Sequence, residues 1–217
     1  CALPISAEGA VLEHFEEFQG RNHATVLSGF IKGCLDHLRR HEMRLDAIAI
    51  SIGPGSYTGL RIGLSEAKGL AYALDVPLIG VDTLKIMAVN VMFAHDVEPD
   101  TLFAPMIDAR RMEVYTAVYD LALNALAAPT PLILQPDSYS KWLAEGKVLF
   151  FGNGSDKARP LFESNPNATF IADVSPLAVD MMPLATQAYL RGDCLDLAYS
   201  VPAYLKEFQA TKPRQLV

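Results

Sequence analysis

Residues Ser51–Gly63 read SIGPGSYTGLRIG: an apolar run, a turn rich in glycine, then the start of a helical pattern. No other stretch constrains the fold as much. Leu45–Ile52, LDAIAISI, is short, apolar and bounded by turn signals, the signature of a buried strand. The turn Gly53-Pro54-Gly55-Ser56-Tyr57-Thr58-Gly59 leads to a helix expected over Leu60–Leu74, which Asp75-Val76-Pro77 ends. Pro77–Val81, PLIGV, reads as a second buried strand. A third helical stretch starts near Thr83 and runs through Leu84, Met87, Ala88 and Val91. Strands alternating with helices imply a layered α/β domain.

The flanks extend this pattern. Val11–Phe18 alternates like an edge strand, Gln19–Asn22 is a turn, and Ala24–Arg40 is an amphipathic helix. Its apolar stripe is Leu27, Phe30, Ile31, Cys34, Leu35 and Leu38. The composition turns polar near His95–Pro99, which divides the chain into residues 1–99 and 100–217. Leu102–Ile107 and Val114–Tyr119 read as a hairpin around Asp108-Ala109-Arg110-Arg111. Pro129, Pro131 and Pro136 mark a connection, Val148–Phe151 is a strand running into Gly152-Asn153-Gly154, and Pro176–Leu190 is the last substantial helix, with Leu177, Met181, Leu184 and Ala188 on one face. No internal repeat is visible in the sequence.

Composition narrows the function. Of 217 residues, 51% are hydrophobic and 20% charged, enough apolar material for a core. Eighteen Lys and Arg stand against 25 Asp and Glu, a formal net charge of −7. Phosphate contacts need dense cationic side chains, so unaided nucleic-acid binding is disfavoured, although local basic patches stay open. No apolar run approaches the ~18 residues of a membrane span. Cys1, Cys34 and Cys194 are far apart and suit reduced thiols in a cytoplasmic protein.

Three features carry candidate chemistry. The loop Gly53, Gly55, Ser56, Thr58, Gly59 before a helix can expose backbone N–H groups to an anion or phosphate. It is neither a Walker A loop nor G-x-G-x-x-G, and a ligand-free strand-to-helix corner explains it equally well. Ser56 lacks the surroundings of a nucleophile, and Ser56 or Thr58 capping the helix is the preferred role. Small residues recur once per turn at Gly63, Ala67 and Ala71, and at Gly29 and Gly33. They permit close helix approach, either within the chain or against a partner. Asp108, Arg110, Arg111 and Glu113 crowd one turn, where arginine suits phosphate or carboxylate recognition and a solvated, locally paired turn is the alternative. His37 and His41 share a helix face, but Arg39 and Arg40 beside them oppose a metal.

Ser51–Leu84 closely resembles the bacterial TsaB family, also called YeaZ. Ile107–Tyr115, IDARRMEVY, and Pro202-Ala203-Tyr204-Leu205-Lys206 extend the resemblance over nearly the whole chain. It implies the actin-like ATPase fold of sugar kinases and Hsp70, with two related α/β lobes. It implies a further strand with an acidic residue upstream of Cys1. It also implies a part in making N6-threonylcarbamoyladenosine at position 37 of certain transfer RNAs, as a scaffold without catalytic residues or a metal of its own.

The implied partners are the paralogue TsaD and the ATPase TsaE, with transfer RNA met only through the complex. No cofactor is expected to bind tightly to this chain, while ATP belongs at the level of the complex. Self-association is expected through helices Ala24–Arg40 and Leu60–Leu74, with Gly29, Gly33, Leu60, Gly63, Ala67, Leu70 and Ala71 at the interface. The rival readings are a nucleotide-binding ATPase or kinase of the same fold, and a metallopeptidase of the glycoprotease-like group. Neither a Walker motif nor the expected metal motif is present.

Overall fold

A computed structural model of the chain describes residues 2–17 and 23–206. The turn expected at Gln19–Asn22 and the residue Cys1 lie outside the described residues. The first lobe opens with a hairpin, β1 (Ala2–Ala7) and β2 (Ala10–Glu16), followed by helix α1 (His23–Arg40). Strand β3 (Ile48–Gly53), helix α2 (Tyr57–Leu74) and strand β4 (Leu78–Asp82) come next, with β3 and β4 paired in parallel. Helix α3 (Thr83–Ala94) then crosses to the second lobe.

Its position follows from its composition. Leu84, Ile86, Met87, Ala88, Val89 and Val91 are all buried, so apolar side chains point in every direction. A helix hydrophobic all round must be covered all round. Leu84, Met87, Ala88 and Val91 pack with Phe103, Tyr119 and Phe151 of the second lobe, while Ile86 packs with Ile79 and Val81 of the first. Asp82 caps the helix, accepting from the N–H groups of Leu84 at 2.7 Å and Lys85 at 3.0 Å. Burial pushes this carboxyl above its usual range, against the pull of those N–H groups.

The second lobe contains β5 (Leu102–Asp108), β6 (Glu113–Tyr119), β7 (Ala125–Ile133), α4 (Ser140–Glu145), β8 (Val148–Phe151), α5 (Ser155–Phe162) and β9 (Ala168–Ile171). Its five strands run in the order β7-β6-β5-β8-β9. Strands β5, β8 and β9 are parallel, and the β5–β6 and β6–β7 pairs are antiparallel. The succession hairpin, helix, strand, helix, strand therefore occurs in both lobes. This structural repeat leaves no trace in the sequence. The central strand β5 has no counterpart in the first lobe among the described residues.

Four expectations are corrected. Pro129 and Pro131 do not mark a connection but sit within β7, the edge strand of its sheet. The β6–β7 register shifts between Thr116 and Val118, beside Pro129, and an edge strand or a bulge is where a missing N–H is tolerated. The last helix, α6 (Met182–Arg191), starts later than Pro176, because Ala178–Met181 forms a 3₁₀ turn and Pro183 marks the helical start. Helix α2 begins at Tyr57 rather than Leu60.

The division at residue 100 is also too simple. Met181, Leu184, Ala185 and Ala188 pack on Ile79, Val81 and Ile86, so the chain returns to the first lobe after β9. Leu195 N–H then donates to Leu78 O at 2.7 Å, continuing that return.

Candidate functional site

The glycine-rich turn is a tight corner built by packing. Gly53 has φ of +110°, a conformation costly for any side chain. A Cβ there would stand 3.0 Å from Leu60 Cδ1 and 3.3 Å from the Ala203 carbonyl oxygen. The Gly53–Pro54 peptide bond is cis. Ser56 is the N-cap of α2, its Oγ accepting from the Gly59 N–H at 3.3 Å. The capping role expected for Ser56 or Thr58 thus belongs to Ser56. Gly55, Ser56 and Thr58 are exposed, while Gly53 is buried.

A strap from the far end of the chain lies along this corner. Ala203 N–H donates to Ile52 O at 2.8 Å, next to Gly53. Arg61 Nε donates to the Tyr204 hydroxyl at 2.8 Å, and its guanidinium lies 4.3 Å from the Tyr57 ring centre. Lys68 Nζ donates to Ser200 O at 2.7 Å. The strap then crosses to the second lobe, where Lys206 pairs with Glu113. Three residue steps separate Ala203 from Lys206, at most about 11 Å. The glycine corner and the charged turn, two independent candidates in the sequence, are therefore neighbours.

That turn joins β5 to β6. Asp108 Oδ1 accepts from Lys157 Nζ at 2.5 Å and from the Arg110 N–H at 2.5 Å. Lys157 Nζ also donates to Glu113 O at 3.1 Å, and Asn153 Oδ1 accepts from the Asp108 N–H at 2.9 Å. The Lys157 hydrogen bond holds the Asp108 carboxyl below its usual range, despite some desolvation. Arg110 and Arg111 are exposed at the tip with φ of 70° and 50°. Asn153 and Lys157 were not singled out in the sequence. Their position within and just after the Gly152-Asn153-Gly154 corner, the second lobe's counterpart of Gly53–Gly59, is the signal that could have found them.

The small-residue stripe of α2 faces inward. Ala67 and Ala71 are buried against Leu78, and a Cβ on Gly63 would meet Ile50 at 3.3 Å. Leu60 is half-buried over the glycine corner. On α1, a Cβ on Gly33 would stand 2.6 Å from the Phe15 ring, so it too faces inward, whereas Gly29 is exposed with open space around it. Gly63, Ala67, Ala71 and Gly33 thus pack within the chain.

The outward ridge lies two positions along: Ser65, Gly69 and Ala73 are exposed at the same four-residue spacing. With Ile31 of α1, Glu66 and Leu70 they line a shallow groove of ≈ 380 Å³ between α1 and α2. Sequence spacing alone does not distinguish the two stripes. The leucines Leu60 and Leu64, which flank only the inner one, do.

The His37 and His41 rings lie 4.5 Å apart between centres, tilted by 39°, and His37 Nδ1 lies 3.2 Å from Glu13 Oε2. Among the described residues no group of three or more His, Cys, Asp or Glu is placed to hold a metal, and no helix is long and apolar enough to cross a membrane.

A family model described as TsaD, tRNA N6-adenosine threonylcarbamoyltransferase, matches residues 14–213. The tRNA threonylcarbamoyladenosine biosynthesis protein TsaB of Escherichia coli (strain K12) is 30% identical over 98% of this chain and 92% of its own length. The Bacillus subtilis (strain 168) protein of the same name is 31% identical over 74% of this chain and 69% of its own. Among solved structures, a Pseudomonas aeruginosa protein described as similar to peptidase YeaZ superposes with a TM-score of 0.76 at 30% identity, covering 95% of this chain and 94% of that one. With near-complete coverage in both sequence and structure, the chain belongs to the TsaB (YeaZ) family, within the wider group that the TsaD model describes.

Proposed function

We propose that this chain is a non-catalytic, partner-binding subunit of the machinery that makes N6-threonylcarbamoyladenosine in transfer RNA. Its relatives carry that pathway in their names. The observation that supports a docking role is the α1–α2 face. Ser65, Gly69 and Ala73 form a flat, small-residue ridge beside the ≈ 380 Å³ groove, into which helices of a partner can settle closely. The partner is a TsaD-type protein, which brings a TsaE-type ATPase and the transfer RNA. ATP acts in that complex and not as a tight ligand of this chain. Without the partner the same face pairs two copies. The fold is read as actin-like, from the element succession shared by the two lobes, and free Cys34 and Cys194 suit the cytoplasm.

Size-exclusion chromatography with light scattering tests this, using the TsaD protein of the same organism. The unaltered chain forms a one-to-one complex, and Gly69→Arg abolishes it while circular dichroism stays native. A Gly69→Arg chain that binds as well as the original, or an unaltered chain that does not bind at micromolar concentration, refutes the reading.

A further inference from the structure

The β5–β6 turn places two arginines where arginine is costly. Arg110 and Arg111 both have positive φ, and they are the only adjacent non-glycine pair that does so among the described residues. Glycine or asparagine occupies such positions at lower cost. Neither guanidinium donates a hydrogen bond or forms an ion pair among the described residues. The nearby carboxylates are shared: Asp108 feels the charge of Arg110 but is hydrogen-bonded by Lys157, and Glu113 pairs with Lys206. Four cationic side chains thus meet two carboxylates, on a chain whose net charge is negative. The base of the turn is braced by Asn153 and Lys157, so the tip is presented rigidly.

We propose that the Arg110–Arg111 turn is a contact for the phosphodiester backbone of RNA. The inference rests on reading the chain as part of an RNA-modifying assembly. Guanidinium groups match phosphate oxygens in a bidentate fashion. A convex, exposed tip fits the backbone of a polymer that lies across it, whereas a free nucleotide is held in a concave site. The acidic remainder of the surface limits affinity, so the turn positions RNA held chiefly by a partner.

Fluorescence anisotropy of the full chain with a labelled, unmodified transfer RNA transcript is the test, at about 50 and about 200 mM salt. The unaltered chain binds in the range of non-specific contacts, about 10⁻⁴–10⁻⁶ M at the lower salt. The double variant Arg110→Asn/Arg111→Gly binds about tenfold more weakly, and its salt slope is smaller by about 2, one for each phosphate that is no longer neutralised. Its melting temperature is equal or higher, because the strained positions now carry residues that tolerate them. Should it not fold, Arg110→Gln alone gives a smaller change in the same direction.

Absence of binding by the unaltered chain, or unchanged binding by the variants, overturns the proposal. So does displacement of the RNA by micromolar ADP, which would make the ligand a free nucleotide. Equal displacement by poly-glutamate, which would make it an acidic protein, does so too. Failure of the TsaD-type complex to form would refute the docking reading and leave this anisotropy result standing.

Discussion

Tyr139 and Thr116 form a buried hydroxyl relay whose two members should differ in cost when removed. Tyr139 is 2% exposed and Thr116 3%. Thr116 Oγ1 donates to Pro105 O at 2.8 Å, so the Tyr139 hydroxyl, also 2.8 Å away, donates to Thr116 Oγ1. Burial raises the Tyr139 pKa, so the ring remains a neutral donor. Tyr139→Phe removes one hydrogen bond and leaves Thr116 still donating, a cost of about 1 kcal/mol. Thr116→Val keeps the shape but strands the Tyr139 hydroxyl in an apolar site and takes a donor from Pro105 O, together about 3 kcal/mol. For a chain of this size that lowers the melting temperature by roughly 6–12 °C. In the double variant the stranded hydroxyl is gone. Its cost should therefore fall short of the sum by about 1 kcal/mol or more. Urea unfolding of the four proteins gives the cycle. Additive costs, or a Thr116→Val no worse than Tyr139→Phe, would refute the direction assigned to the relay.

Three further outcomes follow from the packing and charge. Ala71→Leu crowds Leu78 and costs about 1–3 kcal/mol, whereas Gly69→Ala, on the exposed side of the same helix with nothing within 4 Å, gains about 0.5–1 kcal/mol; thermal unfolding of the pair separates the inner stripe from the outer. Gly152→Ala costs more than about 3 kcal/mol, since its Cβ would stand 2.3 Å from Met87 Cε and 2.4 Å from Met106 O at a φ of +93°, and little soluble expression is expected. The lowered Asp108 pKa contributes stability above the ordinary value of 3.8, which is lost as pH falls through the lower folded value. Lys157→Met should therefore lose less stability than the unaltered chain between pH about 5 and about 2.5, and equal losses in urea midpoints would remove this assignment.

The parts of the fold legible in the sequence are those whose reasons are local. Continuous apolar runs mark β3, β4 and β8, each in a parallel pairing, although β3 is only half-buried apart from Gly53, and the serine before α2 announces its cap. The helix at Thr83 is legible from its residues, but not its place between the lobes, which depends on what covers each of its faces. Helix α4 is too short, at six residues, to show a period. Pro129 and Pro131 suggest a loop because the sequence does not say which side of a strand lacks a neighbour. The candidate site is less legible still. The contacts that assemble it join Ile52 to Ala203, Arg61 to Tyr204 and Glu113 to Lys206. Arg61 and Tyr204 are 143 positions apart, and nothing at either end encodes the other.

The two glycine corners bear on the contact role proposed for this chain. Gly53 ends β3 and Gly152 follows β8, at equivalent places in the two lobes. Both have positive φ, and both precede a helix. At each, the space a side chain would need is taken by the chain itself: Leu60 and Ala203 O at the first, Met87 and Met106 O at the second. Packing is therefore sufficient reason for glycine at both corners, and neither needs a phosphate to explain it. The residues left without an internal reason lie on the outside. Ser65, Gly69 and Ala73 keep a helix face flat where larger side chains would fit, and Arg110 and Arg111 hold a conformation that costs stability. Packing within the chain satisfies both glycine corners, whereas exposed Gly69 and the adjacent positive-φ pair Arg110–Arg111 meet no such internal need, and the proposed contact role accounts for them.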